Sequence, residues 1–115
     1  MPMRLFSYII PFDTGFAPNP FNGYCTLACC KPKIRRAALP GDWIVGLSAK
    51  ARGNRLVYAM HVAEKLTFDE YWRDARFKSK VPDLGHRDPQ WHCGDNMYEP
   101  DGSGRYIQHA GAHFA

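Results

Sequence analysis

GDWIVGLSAKARGNRLVYAMHVAEKLTFDEYW, residues 41–72, holds a strand, a turn, a second strand and a helix start in unbroken succession. After the Pro40-Gly41 breaker, residues 42–50 carry Trp43, Ile44, Val45 and Leu47, an apolar run suited to a strand buried on at least one face. Ala51-Arg52-Gly53-Asn54 reads as the turn. In residues 55–65 the bulky Leu56, Tyr58, Met60 and Val62 alternate with Val57, Ala59, His61 and Ala63, which predicts a strand with one large apolar face. Thr67 and Glu70 then stand at the two positions of a capping box, so a helix should start at Thr67 or Phe68, with Phe68, Tyr71, Trp72 and Ala75 on one stripe.

With 115 residues, 45% hydrophobic and 14% aromatic, the chain has room for one domain, residues 1–115, around one core. No apolar run approaches the ~20 residues of a membrane span, and the start MPMRLF lacks the long apolar segment of a signal peptide. The expectation is a soluble protein of the cytoplasm, with no membrane partner. The four cysteines, of which Cys29 and Cys30 are adjacent, are expected to be free thiols in such a compartment.

The net charge of +4 is unevenly spread. Lys31, Lys33, Arg35, Arg36, Lys50, Arg52 and Arg55 face a single acid, Asp42, within residues 31–55, whereas eight of the eleven acids fall within residues 69–101. Such polarisation fits a phosphate-bearing ligand approaching one side, and it also fits a merely solvated surface.

Taken in order, residues 5–12 (LFSYIIPF) predict a first strand, with Pro11 marking its end or an edge position. Residues 13–24 form a Gly-, Pro- and Asn-rich loop that also holds Phe16, Phe21 and Tyr24; these rings either stack on a planar ligand or pack beneath their own loop. Residues 26–29 are compatible with a short strand. Pro32 interrupts it, and residues 33–38 predict one or two helical turns with Ile34 and Ala38 inward. Lys31, Lys33 and Arg35 would make the start of those turns friendly to anions. Residues 77–90 read as an exposed connector. Trp91-His92-Cys93-Gly94-Asp95-Asn96 is the densest chemistry in the chain: Trp91 suits stacking, and Asp95 and Asn96 suit reading the edge of a base, although Gly94-Asp95-Asn96 also suits a plain turn.

No metal site is expected from Cys25, Cys29, Cys30, His92 and Cys93: Cys25-x3-Cys29 loosely fits one ligand pair, but adjacent His92 and Cys93 would point to opposite sides of a strand. Nor does adjacent His92-Cys93 with Asp95 make a convincing nucleophile and base, so no catalytic residue and no cofactor are assigned. His109 and His113 fall in a tail expected to fray.

Three segments together, FAPNPFNGYCTLACCKPKIRRAALPGDWIVG (16–46), RLVYAMHVAEKLTFDEYW (55–72) and WHCGDNMYEPDGSGRYIQ (91–108), resemble the second type of nucleotide-modification-associated domain, a family of bacteria and their viruses. Gly41-Asp42 before a hydrophobic strand, followed by a strand ending in Val-x-Glu, is also similar to the small barrels of the PUA and EVE group. The resemblance implies an α+β fold, a small PUA-like mixed β-barrel with one or two short helices, and a role in handling modified nucleotides. Domains of that family run past the position of Ala115, so the chain is expected to be C-terminally shortened, and a homo-oligomer is the expected remedy for an open sheet edge.

The function expected is non-catalytic binding of a nucleotide, or of a modified base in nucleic acid, in a basic, aromatic-lined pocket. Its candidate residues are Asn19, Phe21, Asn22, Tyr24, Lys31, Lys33, Arg35, Trp43, Lys50, Trp91, Asp95 and Asn96. The alternatives are a viral or bacterial protein that sequesters a signalling nucleotide or blocks a defence component, acting in the host cytoplasm if viral, and an enzyme or accessory factor of nucleotide modification.

Overall fold

The computed structural model describes residues 3–10, 18–21, 23–29 and 31–111. The expectations placed on Pro11, Phe12, Phe16, Asn22, Cys30 and His113 lie outside the described residues. In chain order the elements are β1 (Leu5–Ile10), α1 (Pro32–Ala37), β2 (Trp43–Ser48), β3 (Leu56–His61), α2 (Phe68–Arg73), β4 (Tyr98–Pro100) and β5 (Tyr106–Gln108), with 3-10 segments at Lys50–Arg52, Ala75–Lys80 and Pro89–Cys93. The chain is therefore α+β. It divides into two compact units, the first from Met1–Thr14 and Lys31–Lys65, the second from Gly15–Cys30 and Leu66–Ala115.

The first unit is a mixed sheet of order β1-β2-β3. Parallel strands need a crossover, and α1 lies in the one that joins β1 to β2; β3 then returns antiparallel through the turn at Lys50–Arg52. Strand alternation places Phe6, Tyr8, Ile10, Ile44, Gly46, Tyr58 and Met60 on one face, of which Tyr8, Ile10, Ile44 and Gly46 are buried. Gly46 is required there: a Cβ would stand 2.4 Å from both the Ile10 and the Tyr58 side chains. Over that gap the Tyr8 and Tyr58 hydroxyls meet at 2.8 Å, and the Lys31 ammonium lies 5.2 Å from the centre of the Tyr8 ring.

Leu56 departs from its expected place on the large apolar face. The register slips between Gly46 and Leu47, so that Leu47 faces Leu56, and this bulge turns Leu56 outward, where it is 63% exposed. Asp42 ties the lower end of the sheet together, accepting from the backbone N–H groups of Arg4 and Leu39 and from the Arg4 guanidinium at 3.1 Å. Those backbone donors, Leu39 foremost, and the Arg4 charge hold its carboxyl below the usual range.

In the second unit α2 begins as expected, with Thr67 and Glu70 forming both bonds of a capping box. The helix ends at Arg73, so Ala75 belongs to the following 3-10 segment instead of to the α2 stripe. That segment corrects the expected exposed connector: Phe77 and Lys80 are buried, because Asp74 caps a turn that folds both side chains inward. Residues 26–29 form no strand either. Asn19 and Thr26 instead make a single bridge, exchanging backbone bonds of 2.8 and 2.9 Å. Ala28, Tyr71 and Phe77 pack as one apolar cluster, and Cys29 with Met97 as another.

The expected barrel is not formed among the described residues. β1 and β3 each pair with β2 and not with each other, while β4 and β5 form a separate two-stranded ribbon. Three strands cannot curl into a closed cylinder, and the ribbon strands are three residues each. No described helix is long and apolar enough to cross a membrane.

Candidate functional site

Three of the residues singled out from sequence, Asn19, Asp95 and Asn96, meet inside the second unit, and all are buried. The Asp95 carboxylate accepts from the Tyr71 hydroxyl at 2.5 Å and the Thr26 hydroxyl at 2.7 Å, while its backbone carbonyl receives the Cys29 thiol at 3.6 Å. Lys80, fully buried, donates to the backbone carbonyl and the side-chain oxygen of Asn19, both at 2.8 Å. The Asn19 amide in turn donates to the Cys93 carbonyl at 2.6 Å, and the Asn96 amide donates to the carbonyls of Tyr71 and Phe77, both at 3.1 Å. Every polar side chain in this cluster thus finds a partner within the unit, as burial demands.

Burial also sets the ionisation of the group. It pushes the Asp95 carboxyl up, against the pull of the Tyr71 and Thr26 hydroxyls and the Lys80 charge. It brings the Lys80 ammonium down to about 8, against the attraction of Asp95 and Cys25. The Tyr71 phenol is raised by burial and by the neighbouring Asp95, and the Cys25 thiol is raised mainly by burial, although Cys25 as a residue is exposed.

The other candidates of this unit lie on aromatic pairs. Tyr24 meets Phe77 edge-on at 5.2 Å, Trp91 stacks on His86 at 4.8 Å, and Phe21 is half-buried. His92 and Cys93 sit on a 3-10 turn, where His92 bonds the His86 carbonyl at 2.7 Å and the Cys93 thiol donates to the Pro89 carbonyl at 3.7 Å. Neither addresses the other. Cys25, Cys29 and Cys93 are free thiols, and among the described residues no group of three or more His, Cys, Asp or Glu is placed to hold a metal ion. The tail expected to fray is anchored at His109, which stacks on Trp72 at 5.1 Å, bonds Glu99 at 2.9 Å and donates its backbone N–H to Met97.

Lys31, Lys33, Arg35, Trp43 and Lys50 belong to the first unit. Its charge is lopsided, nine lysines and arginines against three acids, where the second unit has six against eight. Lys31, Lys33, Arg36, Lys50, Arg52, Arg55 and Lys65 are exposed, and Arg35 is half-buried. Trp43 stands on the outward face of the sheet, opposite His61 in the register, and their rings stack at 4.8 Å and 17°. His61 is the exposed member of the pair, on an edge strand of its sheet. Leu5 lies on the other side of Trp43, 67% exposed, and Ile9 is 43% exposed on the same face.

A family model described as nucleotide modification associated domain 2 matches residues 2–115. The chain belongs to this family. No curated protein and no solved structure matches it. Membership associates the chain with nucleotide modification, and the residues that the sequence left unmarked are those whose partners lie far along the chain. Lys80 read as part of a loop, Tyr71 as one position of an apolar stripe, and Thr26 as a strand residue, yet all three surround Asp95 or Asn19. His61 carried no local signal: it stands opposite Trp43 only because the register shifts between Gly46 and Leu47.

Proposed function

We propose that this nucleotide-modification-associated domain binds a nucleotide, or a modified base of nucleic acid, without turnover, on the outward face of the sheet in its first unit. The observation that carries the reading is the Trp43–His61 stack, two parallel rings whose exposed end is His61, in the unit where positive charge is concentrated. A base laid on His61 extends the stack, with Trp43 holding the imidazole plane in place. Base–aromatic stacking of this kind contributes about 1–3 kcal/mol per base and tolerates any base, because each has a π-face. The excess of positive charge in the same unit favours a phosphate-bearing ligand over a neutral one. An open sheet face here takes the place of the enclosed pocket that a barrel would provide. The buried Asp95 cluster has all its side chains engaged and organises the second unit.

Thermal shift and fluorescence anisotropy with mononucleotides, cyclic nucleotides, and plain and modified-base oligonucleotides test the proposal. Stabilisation by at least one of these, weakened about tenfold or more by His61→Ala and by Trp43→Ala, is the expected result. Binding that survives both substitutions unchanged would refute the stacking assignment.

A further inference from the structure

The backbone bonds around Trp43 fix which way β3 points its unpaired groups. Trp43 donates its N–H to the Arg4 carbonyl at 2.9 Å, on the side of β1. Val62, just past β3, donates to the Asp42 carbonyl at 2.9 Å and accepts from the Gly41 N–H at 2.8 Å, on the side of β2. Inward and outward backbone groups alternate along an antiparallel strand, so Trp43 and His61 form a pair with no backbone bonds between them, the kind whose Cα atoms stand only about 4.5 Å apart. That closeness lets the two rings stack. It also means that the N–H and C=O of His61, and those of Ala59 two residues earlier, point away from β2. No strand pairs with that side among the described residues, because β3 is an edge of its sheet. Leu56–His61 carries neither the lysine nor the proline that commonly guards such an edge. Since the rings stack across the gap between β2 and β3, the far face of the imidazole looks out over the same edge.

A base stacked on that far face stands where a further strand would lie, with its rim toward the backbone of β3. Resting on the stacking reading above, we propose that this backbone reads the base, the Ala59 carbonyl accepting from it and the His61 N–H donating to it. A donor and an acceptor side by side on the strand require an acceptor and a donor side by side on the ligand. Every base carries such a pair on its Watson–Crick edge, and a base inside a duplex has already engaged it. The ligand is therefore an unpaired base, and any modification it carries lies off that edge, as at C5 of a pyrimidine. Because backbone groups do the reading, no charged or amide side chain is needed beside the stack, where the neighbouring outward residues are Leu5, Val45 and Ala59.

The test compares uridine, 5-methyluridine and 3-methyluridine, each as the 5′-monophosphate and as a single-stranded hexamer of that nucleoside, so that a free nucleotide and a strand are told apart by which form binds. The two methyl isomers share their atoms, charge and stacking face, and only the 3-methyl group removes the N3–H donor. The 5-methyl isomer should bind within about twofold of uridine, and the 3-methyl isomer about tenfold or more weaker, through loss of that donor and crowding of the acceptor beside it. In nitrogen-15-labelled protein the His61 amide should exchange freely without ligand, and should shift and become protected with uridine or its 5-methyl isomer. His61→Ala keeps the N–H but removes the ring, and it should weaken uridine and the 5-methyl isomer alike. Equal affinity for the two isomers, or a His61 amide untouched by a ligand that binds, overturns the edge reading and leaves the stack standing. Failure of every form to bind, or binding unchanged in His61→Ala, overturns the stack and the edge reading with it. A dimer whose His61 amide is already protected without ligand places a second copy's strand on the edge and overturns the edge reading as well.

Discussion

The Tyr71 hydroxyl donates to the Asp95 carboxylate across 2.5 Å inside the second unit, where neither residue is more than 6% exposed. The bond joins α2 to the segment after the Pro89–Cys93 turn, and Thr26 adds the earlier chain to the same carboxylate. Tyr71→Phe keeps the ring against Phe77 but removes one donor to a buried charge, so it should cost about 1–3 kcal/mol. Thr26→Val should act alike. Because both serve one acceptor, the double variant should depart from the sum of the singles, a coupling that urea unfolding of the four proteins measures.

Lys80 gives a pH signature. Its ammonium is held to about 8, against an ordinary value of 10.5. Between those values the unfolded chain binds the proton and the folded chain does not, so this group makes stability rise with pH through that window and lowers it as pH falls toward 8. The full span is on the order of 3 kcal/mol. The Cys25 thiol, raised above 9.0 by burial foremost, works the other way and is best removed by Cys25→Ser. In that background, stability measured from pH 8 to 10, below the range in which the raised Tyr71 phenol pulls the other way, should climb, and Lys80→Met should flatten the climb while lowering stability throughout, since Asn19 loses its donor. Asp95 and Cys25 are the titratable groups that act on Lys80, so a curve unchanged by Lys80→Met would show that another group sets the slope.

What the sequence discloses here is what local chemistry decides. Thr67 and Glu70 need only each other to start α2, Pro32 needs only its ring to start α1, and Trp43 to Leu47 declare β2 by composition. The position of Leu56 was hidden by a bulge, which leaves no mark in an alternating pattern. The buried role of Lys80 was hidden for a different reason: lysine in a polar segment reads as solvated, and only the return of Asn19, 61 residues away, makes its burial tolerable. Asp95 and Asn96 drew notice as polar residues beside a glycine, but which of base, backbone or side chain they address depends on pairs such as Asn96 with Phe77 that no local window contains.

Gly94 illustrates how tightly that cluster is closed. A Cβ at this position would sit 2.1 Å from the Lys80 carbonyl oxygen and 2.7 Å from its carbon, both backbone atoms. The same carbonyl accepts from the Asn96 N–H at 3.0 Å, so it cannot retreat without giving up that bond. Gly94→Ala should therefore cost about 1–3 kcal/mol or more, although its backbone angles suit any residue. Gly85→Ala, where the nearest neighbour is the end of the Asp83 side chain at 3.4 Å, should change the melting temperature little, and the contrast between the two is the measurement.

Trp43 and Ile44 are neighbours on β2 that face opposite ways, and they separate binding from folding. Ile44 is 3% exposed on the inward face, so Ile44→Ala should cost about 2–5 kcal/mol and impair any binding only through loss of the fold. Trp43 is half-buried on the outward face, and its chief ring contact is His61, an aromatic pair contributing roughly 0.5–1.5 kcal/mol beyond area burial. Trp43→Ala should accordingly lower stability by about 1–2 kcal/mol, less than a buried tryptophan would, yet weaken nucleotide binding about tenfold or more at temperatures where the variant is fully folded. Calorimetric unfolding and anisotropy on the two variants decide it. Equal losses of stability at both positions would mean that Trp43 serves the core, and the stack would then be a packing contact instead of a binding surface.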